Sequence, residues 1–176
     1  MNELYCDGGV IGRNPSLYGG TWAFRRLRDN LIASEQSAYI SLLDAQVPAV
    51  TNNLTEMLAL VRGLQSLPPT WIGVVYSDSL ITLGRAFQGW KWKNIPPWLH
   101  QEYQQARKRL VNWKQIRWVL LQGHPTKAEL DAGIGSRGYP VSEHNVWCDK
   151  ACGARAAEYM AQINPDGKGK YLGVQS

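Results

Sequence analysis

Residues 51–64, TNNLTEMLALVRGL, mark the point at which the sequence changes from strand patterns to a helical pattern. Apolar side chains recur in this segment at every third or fourth position, as they do on one face of an α-helix. It opens with Thr51-Asn52-Asn53, which supplies helix-capping side chains, and Pro68-Pro69 follows its end. The sequence therefore predicts a helix that begins near Thr51, ends before Pro68 and places these residues on one face: Leu54, Met57, Leu58, Val61 and Leu64.

The residues before this helix predict three strands. A short strand over 4–6 leads into Asp7-Gly8-Gly9, and two longer strands cover 19–27 and 30–40. Residues 12–16 (GRNPS) are turn-forming and separate the first two strands. Because consecutive strands joined by short turns pair in antiparallel fashion, we expect a meander.

Strands and helices alternate after the helix. We predict a strand over 72–76, helices over 79–87 and 97–112, a strand over 116–121, a turn-rich loop over 127–142 and a last helix over 144–162. Helical crossovers would bring the last two strands into the sheet. The predicted fold class is α/β: a mixed five-stranded sheet with helices on both faces, in one domain over residues 1–163, with a polar tail over 164–176.

Charge and cysteine content limit the environment in which the chain works. The 176 residues carry a formal net charge of +5, which favours a polyanionic partner. The three cysteines, Cys6, Cys148 and Cys152, argue against a disulfide framework and for a reducing compartment. No apolar run approaches the roughly 18 residues that span a membrane, and the first residues show no secretory pattern. We expect a monomer in the cytoplasm, away from membranes.

Four acidic residues lie where predicted elements begin or end. They are Asp7 after the first strand, Glu56 near the start of the first helix, Asp78 at the end of the fourth strand and Asp149 in the first turns of the last helix. A crossover sheet brings strand ends and helix starts together, so these acids could share one pocket. Clustered carboxylates repel one another, and Mg²⁺, which prefers oxygen ligands, would neutralise them. Taken singly, each acid is better explained as an ordinary turn, cap or first-turn residue, and the motifs around the acids change that interpretation.

The motifs around these acids resemble those of type 1 ribonuclease H. The matching stretches are Tyr5–Gly9 with 12–15 and 19–23 (the first hairpin), Thr51–Glu56 (a Thr-Asn-Asn-x-x-Glu helix start), Tyr76–Ser79, Gly123-His124 and Asn145–Asp149. They occur in the order of the family and cover residues 3–160. The resemblance implies a ribonuclease H-like fold, with residues 1–163 as the ribonuclease H domain.

This resemblance also implies an activity. The chain would cleave the RNA strand of RNA–DNA hybrids with two Mg²⁺ ions, for which Mn²⁺ could substitute, and would leave 5′-phosphate and 3′-hydroxyl ends. Asp7 would bridge both ions. Glu56 and Asp78 would bind the ion on the nucleophile side, and Asp149 would complete the site. Glu56 would also help to distinguish RNA from DNA at the 2′-hydroxyl, and His124, on a flexible loop, would assist proton movement or product release.

Further residues would hold the substrate if the resemblance applies. Asn14, Asn52 and Asn53 would contact the minor groove of the hybrid, because Asn side chains both donate and accept hydrogen bonds. Thr51 could cap the helix and bind a phosphate of the DNA strand, and Asn145 belongs to the same substrate-binding set. Turn and cap chemistry is the alternative for these residues.

The sequence departs from the family pattern where a long basic protrusion often follows the second helix. Only a compact basic segment remains here, with Trp90, Lys91 and Lys93. We predict that this segment contacts nucleic acid, because basic side chains neutralise phosphates and aromatic faces stack on sugar or base. Two tryptophans further along the chain are instead predicted to belong to the core, Trp113 and Trp118.

A second departure is the loop over residues 125–144, which is much longer than expected and could change how His124 reaches the site. At its end, His144, Cys148 and Cys152 lie four residues apart on one helical face. This spacing suggests zinc, but no fourth ligand of suitable spacing is nearby. We therefore favour a helix that packs two free thiols inward.

Two other functions are compatible with parts of this pattern. A binding module could hold hybrids without cutting them, and a missing carboxylate would indicate it, but none is missing. Another nuclease of the same fold, such as a transposase, integrase or junction resolvase, would differ in the motifs around the acids. The segments Thr51–Glu56 and Ser77–Ser79 favour ribonuclease H over that class.

Overall fold

The chain folds around one mixed five-stranded β-sheet in a computed structural model, which describes residues 1–164. The strands are β1 (Asn2–Val10), β2 (Gly20–Arg28), β3 (Leu31–Ile40), β4 (Val74–Ser77) and β5 (Arg117–Leu120). The helices are α1 (Leu42–Ala45), α2 (Asn52–Gln65), α3 (Leu80–Phe87), α4 (Pro97–Arg109), α5 (Lys127–Ala132) and α6 (Glu143–Ile163), with a short 3-10 helix over Trp113–Gln115. Except for Asn164, the predicted polar tail lies outside the described residues, so the domain boundary at 163 stays a prediction.

The sheet has the strand order β3-β2-β1-β4-β5. The first three strands form an antiparallel meander, and β4 and β5 add to β1 in parallel. Consecutive residues of β1 face opposite sides of the sheet: Leu4 packs into the core that contains α2, and Tyr5 into the core that contains α6. Helices therefore cover both faces, which confirms the predicted α/β fold.

α2 lies at the centre of the larger core. Its first turn is capped by the side chain of Thr51, whose Oγ1 accepts a hydrogen bond from the backbone N of Leu54 at 3.3 Å. The apolar stripe predicted from helical spacing is buried in full: Leu54, Met57, Leu58, Val61 and Leu64. Burial of this stripe against β1, β2 and α4 fixes the helix, and with it the position of its N-terminal turn.

α6 packs one face against the opposite side of the sheet. Ser142 caps it, and the buried side chains recur at helical spacing as Asn145, Cys148 and Cys152. The two thiols contact β1, with Cys148 Sγ 3.8 Å from the Tyr5 carbonyl oxygen, so the predicted inward packing is confirmed. No helix within residues 1–164 is long and apolar enough to cross a membrane.

β1 is longer than predicted, and the prediction that Asp7 follows its end is wrong. The strand continues to Val10 because its antiparallel pairing with β2 includes Asp7↔Ala23. Its parallel pairing with β4, in contrast, ends at Tyr5↔Tyr76. Asp7 therefore lies beyond the last β1–β4 pair, at the edge from which Asp78 also emerges.

The predicted loop over 127–142 contains a helix. Thr126 Oγ1 accepts from the backbone N of Glu129 at 3.2 Å, and the Glu129 side chain accepts from the backbone N of Thr126 at 2.8 Å. This reciprocal capping box stabilises α5, which is too short to show helical periodicity in the sequence. The short helix α1 was also not predicted, for the same reason.

We expect Gly8→Ala to destabilise the fold much more than the neighbouring Gly9→Ala. A Cβ at Gly8 would lie 2.3 Å from the carbonyl carbon of Thr55 and 2.4 Å from the N of Glu56, both backbone atoms of α2. A Cβ at Gly9 would meet nothing closer than Thr21 Oγ1 at 3.3 Å. Gly8→Ala should lower the free energy of unfolding by about 1–3 kcal/mol in urea titrations followed by circular dichroism. Equal losses for the two variants would contradict the backbone contact.

Candidate active site

Four acidic side chains approach one another from four different elements. Asp7 lies on β1, Glu56 on α2, Asp78 directly after β4 and Asp149 on α6. The negative charges of the other three all raise the pKa of Asp7. The acids that the sequence predicts to share a pocket are therefore close enough for their charges to interact.

Asp7 is the most buried of the four, with 8% of its surface exposed. Its Oδ1 accepts a hydrogen bond from the backbone N of Gly8 at 2.8 Å. Burial, followed by the charge of Asp78, raises the pKa of Asp7 to about 9, although the Gly8 hydrogen bond acts in the opposite direction. The surroundings thus disfavour the ionised carboxylate unless a positive charge joins it.

Glu56 and Asp78 show the same tendency. Burial raises the pKa of Glu56 to about 7, opposed by the Ser79 hydroxyl and, more weakly, by the positive charge of Arg85. Burial also raises the pKa of Asp78, while His124 lowers it. Three of the four acids therefore form a partly buried cluster with too little compensating charge.

Asp149 and His124 form the exposed rim of the cluster. His124 Nδ1 lies 3.6 Å from Asp149 Oδ2, and their side chains are 81% and 49% exposed, respectively. The backbone of His124 has a φ of +49°, in the left-handed region that residues other than glycine rarely adopt. The preceding Gly123 touches the cluster directly, since a Cβ there would lie 2.4 Å from Asp78 Oδ2.

The donor chemistry of the cluster fits a divalent cation that prefers oxygen ligands. Burial, together with the charges of neighbouring acids, raises the pKa values of Asp7, Glu56 and Asp78, and such a cation would stabilise their ionised forms. Within residues 1–164, no three His, Cys, Asp or Glu side chains stand close enough together to hold an ion as they are. Ligation by these acids therefore requires changes of side-chain rotamer.

An open groove of about 600 Å³ runs from the cluster along the start of α2. Four of the predicted substrate-binding residues line it together with Glu56 and Asp78: Asn14, Thr51, Asn52 and Asn53. Asn14 Oδ1 accepts from the backbone N of Asn52 at 3.3 Å, which ties the β1–β2 connection to the helix start. The groove therefore presents amide and hydroxyl groups beside the carboxylates.

Asn145, predicted to bind substrate, does not line this groove. Its side chain is only 3% exposed, and its Nδ2 lies 3.5 Å from Asp78 Oδ2, within reach of a long hydrogen bond. This interaction lowers the pKa of Asp78. The geometry supports a role in orienting Asp78.

The compact basic segment Trp90–Lys93 lies at a separate pocket between α3 and α4. Lys91 and Lys93 are exposed, and neither forms an ion pair in the described part of the chain. The Trp90 indole covers Gly84, where a Cβ would lie 2.3 Å from the ring, so this side chain also packs on α3.

The two tryptophans assigned to the core lie there. Trp113 stacks on Phe87 with ring centroids 5.0 Å apart, and Trp118 lies on the same ring at 6.5 Å. Both pack against the core that surrounds α2, which confirms that prediction.

Sequence reasoning did not identify Arg85, which connects the cluster to the basic segment. This buried residue donates hydrogen bonds to the carbonyl oxygens of Lys91 and Lys93 at 3.2 and 2.9 Å, and its charge lowers the pKa of Glu56. A single arginine within the otherwise uncharged helix LITLGRAF was the available signal.

Comparison with known proteins points to one family. Residues 2–156 match the family model described as RNase H. The chain is 32% identical over 151 residues to Ribonuclease H of Chlorobaculum parvum, covering 84% of this chain and 89% of that protein. It is 27% identical over 165 residues to Ribonuclease H of Rhodopirellula baltica, covering 90% and 92%.

Solved structures show the same fold. LC11-RNase H1, isolated from compost by a metagenomic approach, superposes with a TM-score of 0.62 at 19% identity, covering 91% of this chain and 98% of its own. The same enzyme in complex with an RNA/DNA hybrid gives a TM-score of 0.60 at 19% identity, covering 91% and 99%.

Asp7→Asn should stabilise the cation-free protein at pH 8 and have little effect near pH 4. The folded state raises the pKa of Asp7 to about 9, whereas the unfolded value is about 3.9. The folded state therefore binds this proton more tightly, and the protein loses stability as pH rises from about 4 towards 9. The amide never ionises, so we expect a gain of at least about 1 kcal/mol at pH 8. Thermal denaturation with EDTA measures it; an equal change at both pH values would contradict it.

Proposed function

The chain belongs to the ribonuclease H family, and from this we propose that it is an endoribonuclease that cleaves the RNA strand of RNA–DNA hybrids. Water adds to the phosphorus and the bond to the 3′ oxygen breaks, which leaves a 5′-phosphate and a 3′-hydroxyl. One observation carries the proposal: the mutually repelling carboxylates of Asp7, Glu56 and Asp78 form a partly buried cluster, and Glu56 and Asp78 line a groove together with Asn14 and Thr51-Asn52-Asn53.

The proposed cofactor is a pair of Mg²⁺ ions held by Asp7, Glu56, Asp78 and Asp149, with Mn²⁺ able to substitute. When bound, the ions supply positive charge that polarises the phosphate and lowers the pKa of a water molecule. The chain itself keeps the ligands in place. The Gly8 amide holds Asp7 at 2.8 Å, and Asn145 lies 3.5 Å from Asp78.

The groove residues account for recognition of the hybrid. The Asn14, Asn52 and Asn53 side chains offer donors and acceptors to base edges and sugars in the minor groove. Thr51, at the N-terminus of α2, is suited to a phosphate of the DNA strand, because backbone N–H groups there point outward. Glu56 lines this groove, where it could contact the 2′-hydroxyl of the cut strand.

His124 would assist the reaction without being essential to it. Its exposed imidazole lies beside Asp149, where it would help to move protons and assist departure of the product. His124→Ala should therefore slow turnover without abolishing it.

Residues 1–163 form the catalytic domain, which we infer to work as a monomer in the cytoplasm. The three cysteines are all free and buried, which suits a reducing compartment.

Cleavage assays on four substrates test the activity. With Mg²⁺, the protein should cleave an RNA–DNA hybrid but not duplex DNA, duplex RNA or a four-way junction, and EDTA should stop the reaction. Asp7→Asn should abolish hybrid cleavage because the amide keeps the shape but removes the charge that holds cations. Asp131→Asn, an exposed acid on α5, is the matched control and should cleave normally.

Each other outcome identifies a different protein. Preferred cleavage of the junction would indicate a resolvase, and binding of the hybrid without cleavage would indicate a binding module. Near-normal turnover by Asp7→Asn would exclude the proposed catalytic site.

The basic segment yields a separate prediction. Replacing Lys91 and Lys93 together by Ala should weaken hybrid binding without changing the cleavage rate of the bound complex. The slope of the logarithm of the hybrid-binding constant against the logarithm of salt concentration should become shallower by about 0.9 for each lysine–phosphate contact that is lost. Replacing Lys108 and Lys114 by Ala removes the same charge elsewhere and should have a smaller effect. Parental affinity and slope in the Lys91/Lys93 variant would show that these lysines only face solvent.

A further inference from the structure

A hydrogen-bond network organises the segment that follows His124, and Glu129 is its centre. Glu129 Oε1 accepts from Gln122 Nε2 at 2.8 Å and from the backbone N of Ser136 at 2.7 Å. Its Oε2 accepts from the backbone N and the hydroxyl of Thr126, at 2.8 and 3.1 Å. The Glu129 carboxylate thus connects Gln122 before α5, Thr126 at the start of α5 and Ser136 after it.

Gln122 connects this network to the sheet. It is buried, its Oε1 accepts from the backbone N of Arg137 at 3.1 Å, and its own backbone N donates to the Pro140 carbonyl at 2.9 Å. Gly135 packs directly on the amide group, since a Cβ there would lie 2.2 Å from Gln122 Cδ. The Gln122 side chain is therefore held from two sides, and Gly123 and His124 follow it immediately.

We propose that Glu129, acting through Gln122, is a positioning residue that holds Gly123 and His124 against the carboxylate cluster. Gly123 lies against Asp78, and His124 Nδ1 lies 3.6 Å from Asp149 Oδ2. The left-handed backbone of His124 needs such support, because this conformation persists in a non-glycine residue only where its surroundings enforce it. The long segment after His124 therefore stabilises the position of His124 beside the carboxylate cluster.

The network has the strength that this role requires. Hydrogen bonds to an ionised carboxylate are stronger than those between neutral groups. The backbone N–H groups of Thr126 and Ser136 and the amide of Gln122 lower the pKa of Glu129 to about 2, so the carboxylate stays charged at every pH at which the protein is assayed. The catalytic part of the inference rests on the role proposed above for His124.

The experiment combines a structural and a kinetic measurement on the whole chain. The variants are Glu129→Ala, which removes every hydrogen bond of the carboxylate, and Glu129→Gln, which keeps one acceptor oxygen. Asp131→Ala is the matched control, because Asp131 is an exposed acid on the same helix whose side chain makes no hydrogen bond or ion pair within residues 1–164. Nitrogen-15 relaxation reports the mobility of the His124 amide, and single-turnover cleavage of a hybrid is measured in the parent and in a His124→Ala background.

We expect the order parameter of the His124 amide to fall from about 0.85 to below about 0.6 in Glu129→Ala, with a smaller decrease in Glu129→Gln and none in Asp131→Ala. Glu129→Ala should slow cleavage by up to about 100-fold, with KM unchanged, because the histidine is misplaced. It should cause no further loss in His124→Ala, which itself should be slowed by roughly ten- to a thousand-fold.

Three results discriminate between the proposals. An unchanged order parameter in Glu129→Ala overturns the positioning role. Losses that multiply in the double variant show that Glu129 does not act through His124, which also overturns it. If His124→Ala cleaves the hybrid as fast as the parent, His124 has no role in turnover, although the proposed activity still stands. In that case the order parameter of the His124 amide alone tests whether Glu129 positions this residue.

Discussion

The backbone of β1 touches the backbone of α2 at Gly8, and the geometry of the site depends on this contact. Thr55 of α2 packs so closely against the sheet that a Cβ at Gly8 or Gly20 would collide with it. Glu56 follows Thr55 directly, so the contact carries its carboxyl group to Asp7 on the strand. The end of the β1–β4 pairing at Tyr5 then opens the edge where Asp7 and Asp78 meet. The absence of a side chain at Gly8 and Gly20 thus allows α2 to approach the sheet closely enough to place Glu56 beside Asp7.

The same arrangement opposes folding. Carboxylates withdrawn from water beside one another favour the protonated state, and the folded chain must either hold protons or bind cations to relieve the repulsion. Arg85 relieves it only partly, since its guanidinium also bonds to two carbonyl oxygens of the basic segment. These acids therefore lower the stability of the fold at the site where we propose that cations bind, and the surrounding apolar core must compensate.

Periodicity and motif order were sufficient to predict the sheet, α2 and the grouping of the acids, because each depends on local spacing or on the crossover topology. The position of Asp7 inside β1 was not predictable, since strand ends are set by the pairing partner. α5 is too short for periodicity, although Thr126 and Glu129 carry its capping-box signature. The contact between Gln122 and Glu129 depends on how the chain folds back over itself, and no spacing rule encodes it.

The inward-facing thiols of α6 have a consequence for how this protein can be observed. Burial raises the pKa of Cys152 to about 12 and also raises the pKa of Cys148 well above its ordinary value, so neither thiol ionises at neutral pH in the folded state. Alkylating reagents require the thiolate. Cys152 Sγ donates to the carbonyl oxygen of Asp7 itself at 3.6 Å. Alkylation of Cys152 therefore requires α6 to separate from β1. Its rate measures how often the folded protein exposes the strand that carries Asp7.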